Sequence, residues 1–122
     1  DELAAELNAR HLPGVFFRPL HYTPFYGTFK GRKLQGVQIH ILDRRRFQPV
    51  ATQINLLCAL QKLYPEQNIY DTPRLDMFNK AMGTDRVRQQ VRAGASAEEI
   101  ITSWQSGLQQ FELLRQKYLL YR

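Results

Sequence analysis

The clearest strand in this sequence is Gly36-Val37-Gln38-Ile39-His40-Ile41-Leu42-Asp43. Three β-branched apolar residues alternate in it with Gln38 and His40, which is the period-two pattern of a half-buried strand. If the apolar side faces the core, Gln38 and His40 point the other way. They then meet either solvent or a cleft, and the alternation alone does not choose between these environments.

The sequence before this strand predicts a helix and a second strand. Residues 3–11 have helical spacing, and a proline-glycine pair ends that helix. Residues 15–20 predict a short strand, which Pro19 restricts to a sheet edge or a strand end. Residues 21–32 are rich in aromatic side chains. We expect an ordered loop that covers these rings, because exposed aromatic surface is costly.

The sequence after the strand is mainly helical. A helix is predicted over residues 49–63, with proline in its first turn. Its broad apolar content predicts the most buried element of the chain, with Cys58 as a core residue rather than a nucleophile. Residues 65–83 are irregular or weakly helical in pattern. Thr84 is placed to cap a short helix over residues 85–93.

A capping box opens the last helix, with Ser96 at the N-cap and Glu99 three residues on. Trp104 and Phe111 lie on the apolar face of this helix, so both are predicted to be core residues. Together these elements predict an α+β fold in which a small β-sheet packs against several helices and the C-terminal helix is long. We see no domain boundary, so residues 1–122 are expected to form a single domain.

Composition excludes several classes of protein. The 122 residues are 43% hydrophobic and 23% charged, which is typical of a globular domain. No apolar run approaches the roughly 20 residues of a membrane span. The single cysteine excludes a disulfide framework and a Cys-cluster zinc site, and the three histidines match no metal-binding spacing. We therefore predict no metal and no cofactor. The first residues read as the middle of a helix, so we expect a piece of a longer protein.

Hydrolytic acid–base chemistry needs two suitably placed carboxyl groups, or one in an unusual environment. The sequence pattern identifies no such pair among the Asp and Glu residues. Asp43 ends the clearest strand, where either a functional residue or a turn aspartate is found. The turn interpretation is favoured, because acids in perturbed environments are a minority.

The net charge is +6, from 17 Lys and Arg against 11 Asp and Glu. One basic cluster, Lys30, Arg32 and Lys33, directly follows the aromatic segment. Basic groups beside aromatic rings bind single-stranded nucleic acid, or a sugar whose carboxylate meets the cation, or they form a solvated rim. Their spacing does not discriminate among the three.

An ordered set of short motifs over nearly the whole chain is similar to the C-terminal part of the bacterial exo-β-N-acetylmuramidases, also known as domain of unknown function 1343. The motifs are Leu7-Asn8-Ala9-Arg10, Leu12-Pro13-Gly14-Val15, Phe17-Arg18-Pro19, Phe25, Gly36-Val37-Gln38-Ile39-His40, Asp43, Phe47, Pro49, Leu63-Tyr64-Pro65, Gly83-Thr84-Asp85, Arg88, residues 94–100, Trp104, Phe111, Arg115 and Lys117-Tyr118-Leu119-Leu120-Tyr121. Each is weak by itself, and their shared order makes the resemblance specific.

The resemblance implies a two-domain, peptidoglycan-recycling glycoside hydrolase that releases N-acetylmuramic acid from non-reducing ends. It implies that a Rossmann-like N-terminal domain, absent from this chain, carries the catalytic glutamate. This chain then holds no catalytic residue and walls the substrate cleft. Its partners would be that domain and a peptidoglycan-derived muramyl sugar, with no nucleic acid. The family often works outside the cytoplasm, so a periplasmic or secreted location is expected.

Within this picture we predict that His40, Gln38 and Arg18 bind substrate. Arg18 lies on the other predicted strand, and its planar guanidinium suits the lactyl carboxylate of a muramyl sugar. The alternatives are a solvated strand face or a surface that only docks the two domains. Two other functions compete: a basic nucleic-acid-binding module, and a protein-interaction module that uses the apolar end at residues 118–121.

Overall fold

The computed structural model describes residues 1–70, 73 and 75–121 of the chain. Its helices and strands, in chain order, are α1 (Glu2–Asn8), β1 (Val15–Tyr22), β2 (Leu34–Ile41), α2 (Pro49–Leu63), α3 (Leu75–Met82), α4 (Arg86–Arg92), α5 (Ala97–Ser103) and α6 (Gln105–Arg115). A short 3-10 turn, Gln116–Tyr118, follows α6. This confirms the predicted α+β class: a two-stranded antiparallel sheet with helices, of which the C-terminal one is long and bent.

The chain divides into two compact units, Asp1–Ile69 and Tyr70–Arg122. No shift in composition marks residues 69–70, so no boundary was predicted here. The expectation of a single domain over the 122 residues stays a prediction. Among the described residues, no helix combines the length and the apolarity needed to cross a bilayer.

The core of the first unit lies between the sheet and the two helices α1 and α2. Its buried members are Ala4, Leu7, Phe17 and Ala59. Phe17 is only 1% exposed, which makes it the anchor of β1. Burial of an aromatic ring of this size contributes more to stability than that of most other side chains.

Helix α2 has the predicted bounds, from a proline in its first turn to Leu63. It carries five buried residues, more than any other described element, which confirms the prediction that it is the most buried helix. Cys58 is among them, and burial raises the pKa of its thiol. A thiol held protonated in this way is a poor nucleophile, so Cys58 is a packing residue.

Helix α1 ends three residues earlier than the sequence predicts. The helical residues stop at Asn8, and His11 takes a positive φ of 51° that no helix contains. Asn8, the last helical residue, bonds to β1 through its side-chain amide. Its Nδ2 donates to the carbonyl of Phe17 at 2.8 Å, and its Oδ1 accepts from the Phe17 N–H at 2.9 Å. These two bonds satisfy the backbone of β1 on the side away from β2.

In the second unit, Ser96 and Glu99 form the predicted capping box, and Ile100 is fully buried behind it. The helix then bends at Trp104, which separates α5 from α6. Ser103 Oγ donates to the carbonyl of Ile100 at 2.6 Å just before the bend. A serine that bonds back to the preceding turn in this way often bends a helix.

The prediction that Trp104 and Phe111 are both core residues is wrong for Phe111. Trp104 is half-buried at the bend, but Phe111 is 57% exposed and α6 has no buried residue at all. The apolar spacing of the sequence continues through α6, whereas the core that it predicts ends with α5. A periodic apolar pattern identifies the apolar face of a helix, but it does not show whether another element packs on that face.

The aromatic loop also differs from the expectation that its rings are covered. Phe25 is 85% exposed and Tyr26 81% exposed, with Tyr22 and Phe29 about half exposed. The loop itself is ordered by backbone hydrogen bonds, such as the one from Gly31 N–H to the carbonyl of Pro24 at 2.9 Å. Its order therefore comes from the turn backbone rather than from buried rings.

Candidate functional site

The candidate site lies on the β1–β2 hairpin. The antiparallel register pairs Arg18 with Gln38 and Phe16 with His40. Residues directly opposite in an antiparallel pair share one face of the sheet, and so do residues two apart on a strand. Arg18, Gln38 and His40 therefore lie together on one face, which we call the open face of the hairpin.

The other face of the hairpin is held against the core by Phe17, which lies opposite Ile39 in the register. Phe17 is buried and its backbone is bonded by Asn8, so β1 is held at this residue through both its side chain and its backbone. This anchoring explains how a two-stranded sheet, which is marginal by itself, presents a defined polar face. The predicted grouping of the three residues follows from it.

His40 and Gln38 also contact each other. The Nε2 atom of His40 lies 3.1 Å from Oε1 of Gln38, a hydrogen bond that His40 donates when its proton is on Nε2. His40 is half-buried, while Gln38 and Arg18 are exposed. In this tautomer the other ring nitrogen, Nδ1, is a hydrogen-bond acceptor. Beside it, the guanidinium of Arg18 offers paired donors suited to a carboxylate.

Two carboxylates of the first unit, Asp43 and Glu6, are engaged in structural bonds. Asp43 Oδ1 accepts the backbone N–H of Arg45 at 2.9 Å, which makes it a turn aspartate as the sequence analysis favoured. Glu6 bonds to Lys62 Nζ at 2.9 Å and to Arg10 at 2.9 Å. These hydrogen bonds, from Lys62 first and Arg10 second, lower the pKa of the Glu6 carboxyl. Both acids therefore have structural roles in this unit.

Sequence reasoning missed the bridge that Arg10 makes between α1 and α2. Its Nη1 donates to the carbonyl oxygen of Asn55 at 3.2 Å and to the side-chain Oδ1 of Asn55 at 3.1 Å. Asn55 is buried, so both of its oxygens need such donors. Both Asn8 and Arg10 lie in the motif Leu7-Asn8-Ala9-Arg10, which was the one sequence feature that could have indicated their roles. Within the described part of the chain, no cluster of three His, Cys, Asp or Glu is arranged to hold a metal ion.

The basic cluster (Lys30, Arg32 and Lys33) and the aromatic segment before it lie at the tip of the same hairpin. The guanidinium carbon of Arg32 lies 5.5 Å from the centre of the Phe29 ring, within the range of a cation–π contact. Phe25 and Tyr26 pack edge to face, with ring centres 6.3 Å apart. A shallow groove runs between these rings, Tyr22 and Leu34.

Comparison with known proteins gives the family. The sequence profile described as "Exo-beta-N-acetylmuramidase NamZ, C-terminal" matches residues 1–121. The chain belongs to the NamZ C-terminal family. This confirms the resemblance seen in the sequence motifs.

Two relatives of this NamZ C-terminal chain illustrate the match. It is 38% identical over 120 residues to the peptidoglycan β-N-acetylmuramidase NamZ of Bacillus subtilis (strain 168), covering 98% of this chain and 28% of that protein. It is similar to the crystal structure of a DUF1343 family protein from Bacteroides fragilis NCTC 9343, with a TM-score of 0.84 and 35% identity. That alignment covers 99% of this chain and 32% of the other. The chain thus spans under a third of the length of either relative.

These findings also bear on the competing functions. Neither relative is described as a nucleic-acid-binding protein, and nothing in the comparisons supports the basic nucleic-acid-binding or protein-interaction alternatives. The binding roles of His40, Gln38 and Arg18 stay predictions, although the hairpin brings the three together as expected.

Proposed function

We propose that this chain is the C-terminal domain of a peptidoglycan exo-β-N-acetylmuramidase, a glycoside hydrolase that releases N-acetylmuramic acid from the non-reducing ends of glycan chains. In this role it walls the substrate cleft beside an N-terminal catalytic domain. The observation that carries the proposal is the family match over residues 1–121. The coverage of less than a third of each relative supports the existence of a partner domain in the same protein.

The open face of the hairpin is the part of this domain that meets the sugar. Arg18 binds the lactyl carboxylate, because its guanidinium forms two parallel charge-assisted hydrogen bonds with a carboxylate. His40, oriented by Gln38 at 3.1 Å, binds a hydroxyl or the N-acetyl group. These contacts bind and orient the substrate, while the acid–base chemistry belongs to the catalytic domain.

The test is His40→Ala in the longer protein, assayed on a chromogenic N-acetylmuramic acid glycoside. The cleft role predicts a fall in kcat/KM of about tenfold or more, equivalent to roughly 1.4 kcal/mol of lost transition-state binding, with thermal stability nearly unchanged. Gln38→Ala should act in the same direction, because it removes the hydrogen-bond partner of the ring.

The matched control is Gln35→Ala. Gln35 is an exposed glutamine of the same strand, but its register position opposite His21 puts it on the other face of the hairpin. Its kinetics should equal those of the wild type. Unchanged kinetics for His40→Ala would refute the cleft role. A loss of stability large enough to explain the lost activity would make His40 a structural residue.

We propose an extracytoplasmic location, periplasmic or secreted, for the protein that contains this chain. The reason is chemical, because its proposed substrate is the cell wall. Fractionation of cells that produce the longer protein should recover it outside the cytoplasm, and recovery with the cytosolic markers would contradict this location.

A further inference from the structure

The open face of the hairpin continues beyond the three proposed sugar-binding residues. The register pairs Leu20 with Gly36 and Tyr22 with Leu34, and all four share the face of Arg18, Gln38 and His40. Tyr22 and Leu34 also line the groove between the aromatic rings of the hairpin tip. From His40 to Leu34 the strand extends about 20 Å, at roughly 3.3 Å per residue. The polar patch and the aromatic tip are thus two ends of one surface.

Gly36 lies in the middle of this surface, and the fold does not require a glycine there. It is not among the residues with positive φ, and a Cβ added to it would meet nothing within 4 Å. Glycine inside a strand costs about 0.5–1 kcal/mol relative to alanine. Glycine inside a strand often marks a bulge, a tight bend, or a place where a ligand or another backbone approaches closely. The register runs without interruption through Gly36, so no bulge accounts for it and close approach is the reason that we take up here.

The charge of the hairpin indicates what approaches. The hairpin, from Val15 to Ile41, contains four Lys or Arg residues and no Asp or Glu. Arg18 lies on the open face, and Lys30, Arg32 and Lys33 are exposed at the aromatic tip. Both ends of the surface therefore attract an anion. Exposed rings such as Phe25 and Tyr26 add flat apolar faces on which a sugar ring stacks.

We propose that the open face, from His40 past Gly36 to the aromatic tip, is an extended binding track for an anionic muramyl glycan chain. The terminal sugar lies at Arg18, Gln38 and His40. The following sugars cross Gly36, where a side chain would block them, and reach the tip. This inference rests on the proposed function and adds to it a selection for glycan chains over short glycosides.

The test compares two substrates of the longer protein, a soluble glycan chain and the chromogenic monosaccharide glycoside. In Gly36→Val the ratio of kcat/KM on the chain to kcat/KM on the monosaccharide should fall at least tenfold. Because valine favours strands and the space is open, the thermal midpoint should equal or exceed that of the wild type. Tyr26→Ala should lower the same ratio.

Tyr121→Ala is the matched control. It also removes a highly exposed tyrosine, 88% exposed, but one near the end of the second unit. The ratio should stay at the wild-type value. An unchanged ratio in Gly36→Val and Tyr26→Ala, or an equal loss on both substrates, would overturn the track.

Co-sedimentation with purified insoluble peptidoglycan measures binding to the proposed track independently of hydrolysis. The wild type and Tyr121→Ala should bind, and Gly36→Val and Tyr26→Ala should bind several-fold less. If the longer protein hydrolyses neither substrate, that result would count against the proposed function. The binding measurement would still show whether the open face binds glycan chains. If instead Tyr26→Ala abolishes binding to phosphatidylglycerol vesicles while peptidoglycan binding is unchanged, the tip contacts lipid and the glycan track is wrong.

Discussion

At the residue scale, Gly14 shows how one backbone position controls the entry to the hairpin. Its φ is +70°, and its carbonyl accepts the N–H groups of Leu42 at 2.9 Å and Asp43 at 3.2 Å. A Cβ at this position would lie 2.5 Å from the carbonyl oxygen of Asp43 and 2.9 Å from the nitrogen of Phe47. Both atoms belong to the backbone, so neither can move aside cheaply.

We expect Gly14→Ala to lower the free energy of unfolding by at least about 2 kcal/mol, from left-handed backbone strain of roughly 1–2 kcal/mol plus the backbone clash. Urea denaturation measures the loss. The control is Gly31→Ala, which has a similar φ of +76° but no atom within 4 Å of its Cβ. It should lose only the strain. Equal losses in the two variants would show that the clash at Gly14 is relieved.

Glu6 gives the chain a dependence of stability on pH. Hydrogen bonds from Lys62 and Arg10 lower the pKa of its carboxyl below the ordinary value of 4.5. The unfolded chain therefore binds the proton more readily than the folded chain does. This contribution to stability is fully present above the ordinary pKa, and it is lost as the pH falls through the lowered one.

We expect Glu6→Gln to lose roughly 0.5–1 kcal/mol of stability at neutral pH, because Lys62 is largely exposed and its ion pair is screened by solvent. The difference from the wild type should shrink as the pH falls well below 4.5. Urea midpoints across this range measure it. Glu2→Gln, an exposed acid of the same helix, is the control, and a difference that does not depend on pH would contradict the role of Glu6.

At the element scale, the capping box holds the start of α5. Ser96 Oγ accepts the N–H of Glu99 at 3.2 Å, and the Glu99 carboxylate accepts the N–H of Ser96 at 2.7 Å. The second bond lowers the pKa of the Glu99 carboxyl. The box places Ile100, which is fully buried, at the base of the helix.

We expect Ser96→Ala to cost about 1 kcal/mol, the usual loss for an N-cap side chain. The measurement is the free energy of unfolding from urea denaturation. Ser106→Ala is the control, since Ser106 is an exposed residue inside α6, where alanine is the better helix former. A loss in Ser106→Ala equal to that in Ser96→Ala would show that capping is not the cause.

At the scale of the whole molecule, we expect the 122-residue chain alone to have no glycosidase activity. Most glycoside hydrolases use two carboxyl groups about 5–10 Å apart across the scissile bond. Glu6 and Asp43, two acids of the first unit, are engaged in structural hydrogen bonds. The chromogenic N-acetylmuramic acid glycoside tests this, with the longer protein as the positive control. Turnover by the short chain comparable to that of the longer protein would contradict the division of labour proposed above.

The sequence alone was sufficient for the features that depend on local backbone preference. Alternation predicted the strand β2, although its apolar side is not covered throughout, since Ile39 is 45% exposed and Ile41 49% exposed. A proline in the first turn helped to predict α2, and Ser96 predicted its capping box. Arg18 was predicted to join Gln38 and His40 because its guanidinium suits a carboxylate, and the register that places it opposite Gln38 came from the structure.

Only the tertiary structure decided which apolar residues are covered. Phe17 and Phe111 are both phenylalanines within predicted secondary structure. Phe17 is nevertheless only 1% exposed, whereas Phe111 is 57% exposed. The tertiary structure also showed that Asn8 bonds to the backbone of β1. It showed further that a Cβ at Gly36 would meet no atom within 4 Å. The physical reason is the range of the interactions. Backbone preference acts over a few neighbours, whereas burial, hydrogen-bond partners and open space depend on segments far apart in the chain.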